Sequence, residues 1–323
     1  MKAIVQDIYG SADVLALREI ERPTAGDNDV LLAVRAAGVD PGVWHLMTGM
    51  PYLVRIAGFG LRKPKVATRG RDVAGRVEAV GRNVTRFKPG DEVYGTCEGS
   101  FAEYATARED RLALKPAGLS FAQAAAVPIS AGTALQALRD AGEIKAGQHV
   151  LVIGAAGGVG TFAVQLAKAF GAEVTGVCST TKTDLVRSIG ADHVIDYTRE
   201  DFTEGGRRYD LVLDIAGNRP LPKLRKALAA KGILVIVGGE GGGRWTGGFG
   251  RSLRAAMLSP FVGQKLCGLI AKETSTDLEA LTAHIEAGKV VPVIDRTYPL
   301  GEAAKAIRHL EEGHNRGKVV ITI

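Results

Sequence analysis

The residues best placed to do chemistry stand in one run, Val150-Leu151-Val152-Ile153-Gly154-Ala155-Ala156-Gly157-Gly158-Val159-Gly160. An apolar, β-branched strand empties into a glycine turn and a helix starts at once. Ala155-x-Gly157-x-x-Gly160 has the spacing of a dinucleotide fingerprint, with alanine in place of the first glycine. Gly157 lets backbone approach a pyrophosphate, Gly160 lets the helix lie close on the strand, and the helix start offers unsatisfied N–H groups and a partial positive charge. Ala156, Gly157, Gly158, Val159 and Gly160 are therefore the candidate phosphate cradle.

The identity of the nucleotide is readable one strand later. An NAD site needs an acid near the end of the second strand for the ribose hydroxyls, whereas an NADP site offers hydroxyls and cations to the extra phosphate. Here that strand ends Gly176-Val177-Cys178-Ser179-Thr180-Thr181-Lys182, without an acid. Ser179 and Thr180 can donate to a phosphate, Lys182 can neutralise it, and Tyr197, after the third strand, can lie alongside. Asp184 falls further into the following helix, in a position read as outward. The expected cofactor is NADP(H).

These residues need a scaffold, and the surrounding pattern predicts one. Thr161 to Phe170 continues as an amphipathic helix, Gly171-Ala172 stops it, and a second strand follows from Glu173 to Val177. The alternation goes on: helix about Lys182 to Ile189, strand His193 to Ile195, strand Leu211 to Leu213, helix near Leu221 to Leu228, strand Ile233 to Val237. This predicts an α/β, doubly wound parallel sheet. Ala216 and Gly217 close its fourth strand and Gly238 and Gly239 its fifth, so both pairs are expected to line the cofactor cleft at the carboxyl edge. Up to about Phe121 the chain instead shows short strand-like runs broken by Gly, Pro, Asp and Asn. After Val237 come the glycine-rich stretch Gly238 to Gly250, an apolar and basic segment Arg251 to Lys272, a helix around Leu278 to Ala287, and a final strand Lys318 to Ile323.

Composition suits a two-domain enzyme. The chain has 323 residues, 46% hydrophobic and 24% charged, with a formal net charge of +6. The positive balance suits a polyanionic cofactor. The cations are scattered, with no basic arm or helix-turn-helix, which argues against nucleic acid as a partner. No apolar run is long enough to span a bilayer, and the first residues lack the apolar core of a secretory signal. Three distant cysteines, Cys97, Cys178 and Cys267, suggest reduced thiols and a cytoplasmic location.

Several segments together carry a resemblance. They are Gly70-Arg71-Asp72-Val73-Ala74-Gly75-Arg76-Val77-Glu78-Ala79-Val80-Gly81, Phe87-Lys88-Pro89-Gly90-Asp91-Glu92-Val93-Tyr94-Gly95, Gly132 to Leu138, the glycine turn, and Gly190-Ala191-Asp192-His193-Val194-Ile195-Asp196-Tyr197. The chain resembles the zinc-free NADPH:quinone oxidoreductase branch of the medium-chain dehydrogenase/reductase superfamily, which includes the zeta-crystallin-like proteins. The resemblance implies a GroES-like β-barrel catalytic domain, residues 1-121, completed by a C-terminal segment 266-323, and a Rossmann NADP(H)-binding domain, residues 122-265. It also implies a cofactor cleft between them, reduction of quinones or enones, and a homodimer formed through Rossmann edges. Other substrates of the same scaffold, enoyl thioesters or ketones, stay open, as does cofactor binding with little catalysis.

Zinc enzymes of that superfamily carry a Cys near Gly38 to Asp40 and a Gly-His-Glu where this chain has Gly70-Arg71-Asp72, so no metal is expected. Without one, hydride delivery to an electron-poor alkene or quinone is favoured, because a few donors can stabilise a charge spread over an enolate or hydroquinone. On the stretch Gly38 to Gly49, read as a loop, Asp40 falls at a family Asn and His45 near a family Tyr. His45 could donate to a carbonyl oxygen or relay a proton, or be a loop histidine bonded to backbone. Asp40 is given a binding or positioning role at most. Tyr52 is a second possible proton donor, or a packed aromatic. Thr133 matches a threonine whose hydroxyl would bond the cofactor's carboxamide or ribose, or it caps a helix start. Arg316 and Lys318 are substitutes for a missing phosphate-binding arginine. The apolar and basic stretches Tyr52 to Lys63 and Trp245 to Lys265 suit a lipophilic substrate, peripheral contact with an anionic membrane, a lid or a subunit contact.

Overall fold

The computed structural model describes residues 1–217, 219–239 and 243–323, and these divide into two compact units. The first comprises Met1–Gly132, Glu273–Glu286 and Pro292–Ile323; the second comprises Thr133–Lys272 and Ala287–Val291.

The chain begins in the first unit with β1 (Lys2–Val5), β2 (Ala16–Glu19), β3 (Asp29–Val39) and helix α1 (Pro41–Thr48). The short helix α2 (Tyr52–Val54) follows, then β4 (Asp72–Val80), β5 (Glu92–Thr96), β6 (Tyr104–Arg108), β7 (Leu112–Leu114) and helix α3 (Phe121–Ala125). Helix α4 (Pro128–Gln136) spans the point where the units divide. The second unit then runs through β8 (His149–Ile153), α5 (Gly158–Ala169), β9 (Glu173–Cys178), α6 (Thr183–Ser188), β10 (His193–Asp196) and β11 (Tyr209–Asp214). It continues with α7 (Leu221–Ala227), β12 (Leu228–Ile236), α8 (Phe249–Leu258) and β13 (Lys265–Gly268). Helix α9 (Ser275–Glu286), β14 (Ile294–Pro299), α10 (Ala303–Glu311) and β15 (Lys318–Thr322) return to the first unit.

In the second unit six strands lie in the order β10-β9-β8-β11-β12-β13, all parallel. The order reverses between β8 and β11, where doubly wound sheets open a crevice at the carboxyl ends of the strands. The strands read as unbroken apolar runs because both faces are covered; Val150, Leu151 and Val152 are all fully buried. The sixth strand, β13, lies in what the sequence presents only as an apolar and basic segment. A domain boundary at residue 266 cuts through this strand, which pairs with β12 from Ile233↔Lys265 to Ile236↔Gly268. Four edge residues carry too little periodicity to announce a strand.

In the first unit a seven-stranded sheet runs β14-β15-β3-β4-β5-β7, with β6 also paired to β3. Its core collects Val30, Leu32, Val34, Val73, Val77, Val93 and Leu112. The closing strand β15 pairs antiparallel with the end of β3, Val320 facing Gly38 and Val319 facing Val39. This brings the last residues of the chain beside the start of α1.

Candidate active site

The glycine turn takes the conformation its residues dictate. Gly154 has φ +88°, and its N–H and that of Ala155 both donate to Val177 O, pinning the turn to β9. Helix α5 starts at Gly158 with Gly157 as its cap and no side chain bonded there. The first bond into the helix is Thr161 N–H to Gly157 O at 3.0 Å, so the preceding amides of residues 158–160 form the unsatisfied turn that an anion can occupy. A Cβ on Gly160 would stand 2.1 Å from Gly154 O, whereas one on Gly157 would meet Gly154 O at 3.5 Å. Gly160 is thus demanded by the close approach of helix to turn, and the Gly157 side is open. The cradle fits a pyrophosphate.

At the ends of the next two strands, Cys178 lies opposite Asp196 in the parallel register, so Ser179 to Lys182 and Tyr197 share one edge. Ser179 starts a single 3-10 turn, Thr180–Lys182, without a side-chain bond to it, and Tyr197 is half exposed at 51%. Thr180 is differently engaged: its hydroxyl donates to Asp196 Oδ2 at 2.5 Å and lies 3.0 Å from Thr198 Oγ1. Asp196 is the acid this edge holds, and the bond from Thr180 keeps its carboxyl below the usual carboxylate range. The sequence signals no such pairing, because the two residues come from different strands.

Ala216, Gly217, Gly238 and Gly239 gather at the carboxyl ends of β11 and β12. Gly217 has φ +69° and donates its N–H to the buried Asp214. A Cβ on Gly238 would overlap Ile215 O. These glycines are required by backbone packing. Asp214 is fully buried and pairs with Arg251 of α8, an ion pair the sequence reading missed. In the glycine-rich stretch Gly238 to Gly250, residues 240–242 lie outside the described residues.

In the first unit the predicted loop 38–49 is mostly helix. Asp40 is its N-cap: Oδ1 accepts from Gly42 N at 2.7 Å and Val43 N at 3.3 Å, with Pro41 at the first helical position. Asp-Pro at a helix start was the available signal. Asp40 is 2% exposed, and Oδ2 has no hydrogen-bond partner. His45 is half-buried; its Nδ1–H donates to Met50 O at 2.7 Å and its ring stands edge-on to Trp44. The backbone bond expected of a structural histidine is present and fixes the ring. Tyr52 opens the short turn after Pro51, with Arg55 over its ring at 5.0 Å. Thr133 lies well inside α4, so the helix-start alternative does not hold.

Lys318 is not a surface cation for a phosphate. It is 2% exposed and donates to Asp72 Oδ2 at 3.0 Å, while Asp72 Oδ1 accepts from Ile129 N–H at 2.8 Å. Burial pushes Asp72 up to about 6 against the opposing pull of Lys318, and nearby Asp40 pushes the same way. Arg71 donates to Glu273 Oε1 at 2.5 Å. Burial raises the Cys97 thiol to about 12, so it is not a thiolate donor. A helix cap, a guanidinium and a lysine-bound carboxylate do not fit a zinc ion, and among the described residues no cluster of three or more His, Cys, Asp or Glu side chains could hold one.

The order of the parallel sheet and the open helix start after β8 define a dinucleotide-binding architecture. Residues 26–117 match the family model of the alcohol dehydrogenase GroES-like domain, and residues 189–321 that of zinc-binding dehydrogenase. The chain is 36% identical over 337 residues to a 2-methylene-furan-3-one reductase of Solanum lycopersicum, covering 99% of this chain and 79% of that protein. It is also 36% identical to a chloroplastic NADPH-dependent alkenal/one oxidoreductase of Arabidopsis thaliana, with 99% and 79% covered. The structure of the quinone oxidoreductase from Coxiella burnetii superposes with a TM-score of 0.88 at 30% identity, over 100% of this chain and 99% of that one. The chain belongs to the medium-chain dehydrogenase/reductase superfamily and is of the quinone oxidoreductase type.

Proposed function

We propose that the protein is a zinc-independent reductase that uses NADPH to reduce quinones and α,β-unsaturated carbonyls. The observation that carries the zinc-independent reading is the fate of the residues at the metal positions: Asp40 caps a helix, Arg71 is paired with Glu273, and Asp72 is held by Lys318. Without a Lewis acid, the substrates that suit the site are those whose developing charge is delocalised. The relatives named for alkenal/one and 2-methylene-furan-3-one reduction support this choice.

The amides from Ala156 to Gly160 hold the pyrophosphate, and Ser179, Lys182 and Tyr197 hold the 2′-phosphate, with Thr180 contributing through the shape of its turn. Ala216, Gly217, Gly238 and Gly239 let the cofactor approach the sheet edge, and Thr133 bonds its carboxamide or ribose. When bound, the nicotinamide supplies the hydride. His45, its Nδ1 committed to Met50 O, delivers a proton from Nε2 to the reduced substrate; Tyr52 is the alternative donor. Asp40 sets the angle of the helix that carries His45.

The protein acts as a homodimer in a reducing, cytoplasm-like compartment. Among the described residues, edge strand β13 has one unpaired side, and Trp245, Phe249, Leu253, Met257 and Phe261 recur every four residues beside it, all exposed. No helix among the described residues is long and apolar enough to cross a membrane. The test is consumption of NADPH and, separately, NADH with a short quinone and an alkyl enone, with and without EDTA. Turnover that prefers NADPH and ignores EDTA is expected; turnover abolished by EDTA overturns the zinc-independent reading.

A further inference from the structure

The first unit contains a pocket of about 160 Å³, partly open to solvent, between α1, the turn at residues 57–59 and the start of β4. Its apolar wall includes Val43, Leu46 and Phe59. Its charged lining is lopsided: Lys65, Arg69 and Arg71 against a single carboxylate, Glu98.

The three cations differ in how they are satisfied. Arg71 is neutralised by Glu273 at 2.5 Å. Lys65 is exposed, as is Glu98. Arg69 is only 5% exposed, yet its one side-chain hydrogen bond runs from Nη1 to a neutral acceptor, Leu46 O at 3.3 Å, and its buried Nε has no partner. Among the described residues no carboxylate pairs with it. A guanidinium taken out of water without an ion-pair partner is costly. Burial accordingly lowers Arg69 from its usual range to about 10, against the smaller opposing pull of Tyr9 and Glu98, neither of which forms an ion pair with it. Such a cost is recovered where an anion enters the pocket.

We propose that this pocket binds a carboxylate carried on an apolar chain, with Arg69 as its counter-charge, Lys65 at the rim and the Val43, Leu46 and Phe59 wall against the chain. Taken as the substrate pocket, which rests on the enone-reductase reading, it selects enones that bear a carboxylate remote from the reacting double bond.

Binding is measured first, without turnover, by calorimetry of the NADPH-loaded enzyme with hexanoate, hexan-1-ol and inorganic phosphate. Hexanoate is expected to bind at least about tenfold tighter than hexan-1-ol, and tighter than phosphate, which lacks the chain. Arg69→Met should abolish that preference and leave the unliganded melting temperature unchanged or higher, since it removes an uncompensated charge; a purely structural arginine would lower it. Glu98→Gln, a change at an exposed residue that does not threaten folding, should tighten hexanoate about threefold by removing the opposing charge. Equal binding of hexanoate and hexan-1-ol, or no response to Glu98→Gln, overturns the proposal. Turnover of 7-oxooct-5-enoate, whose carboxylate lies three methylenes from the double bond, is then compared with that of oct-3-en-2-one, which ends in a methyl group instead. Hexanoate binding without reduction of either enone would leave the anion pocket standing and reject the enone reading; equal turnover constants for both would reject the pocket as a substrate pocket.

Discussion

In the unit built on β8 to β13 the candidate ligand groups are mainly backbone amides at strand ends, whereas in the unit built on β3 to β7 they are side chains around α1 and β4. The first kind of site depends on close approach: Gly160 under Gly154 O, and the turn pinned by two amides to Val177 O. The second depends on charges assembled from distant parts of the chain, Asp72 with Lys318 and Arg71 with Glu273. Backbone sites tolerate almost no added atoms, and side-chain sites tolerate shape changes but not the loss of one partner.

The largest effect should come from splitting the buried pair. Lys318→Met leaves Asp72 without its cation and is expected to cost about 3–5 kcal/mol in chemical denaturation, with much of it restored by Asp72→Leu in the same chain. The same pair has a pH signature. Asp72 has a carboxyl raised to about 6 from 3.8, so folding takes up a proton between those values. Its contribution is fully present below about 4 and is lost as pH rises through about 6. Asp72→Asn should flatten that part of the stability profile; an unchanged slope would mean that another group titrates there.

On the backbone side, Gly160→Val should cost about 3 kcal/mol and abolish NADPH binding, because its Cβ would meet Gly154 O at 2.1 Å. Gly157→Ala, whose Cβ would meet Gly154 O at an ordinary 3.5 Å, should cost far less fold stability; equal loss from both in thermal melts would break the distinction drawn between the two glycines.

His45→Phe should lower kcat about a hundredfold while leaving the KM for NADPH nearly unchanged. Retained kcat would transfer the proton to Tyr52 or to water. The smallest effect is expected at the nucleotide edge: Lys182→Ala should raise the KM for NADPH about tenfold and leave NADH alone. Thr180→Ala should separate the two cofactors less than Ser179→Ala, since the Thr180 hydroxyl is given to Asp196.

Much of the second unit was legible in the chain because its rules are local. Apolar runs, glycine spacing and helix stops recur within a few residues of one another, and the alternation from Val150 to Val237 follows from them. Even there, β13 escaped, and the Thr180 hydroxyl, read as free for a phosphate, is taken up by Asp196 of the neighbouring strand. In the first unit, the glycines at 38, 42 and 49 give the segment 38–49 the composition of a loop and mask the helix-start signal of Asp40-Pro41.

By itself the sequence determined the parallel-sheet unit, its phosphate-binding turn, the absence of cysteine and histidine from the metal positions, and a superfamily membership carried by short local motifs. The tertiary structure alone decided which charges are paired. Asp72 and Lys318 lie 246 residues apart, and only the pairing of β15 with β3 brings the end of the chain beside α1. It also left Arg69 buried with no ion-pair partner among the described residues, a property of its surroundings and not of its neighbours in the chain. Local motifs express backbone geometry, which acts over a few residues; burial and Coulomb partnership act through space, and become visible only when the chain has closed around them.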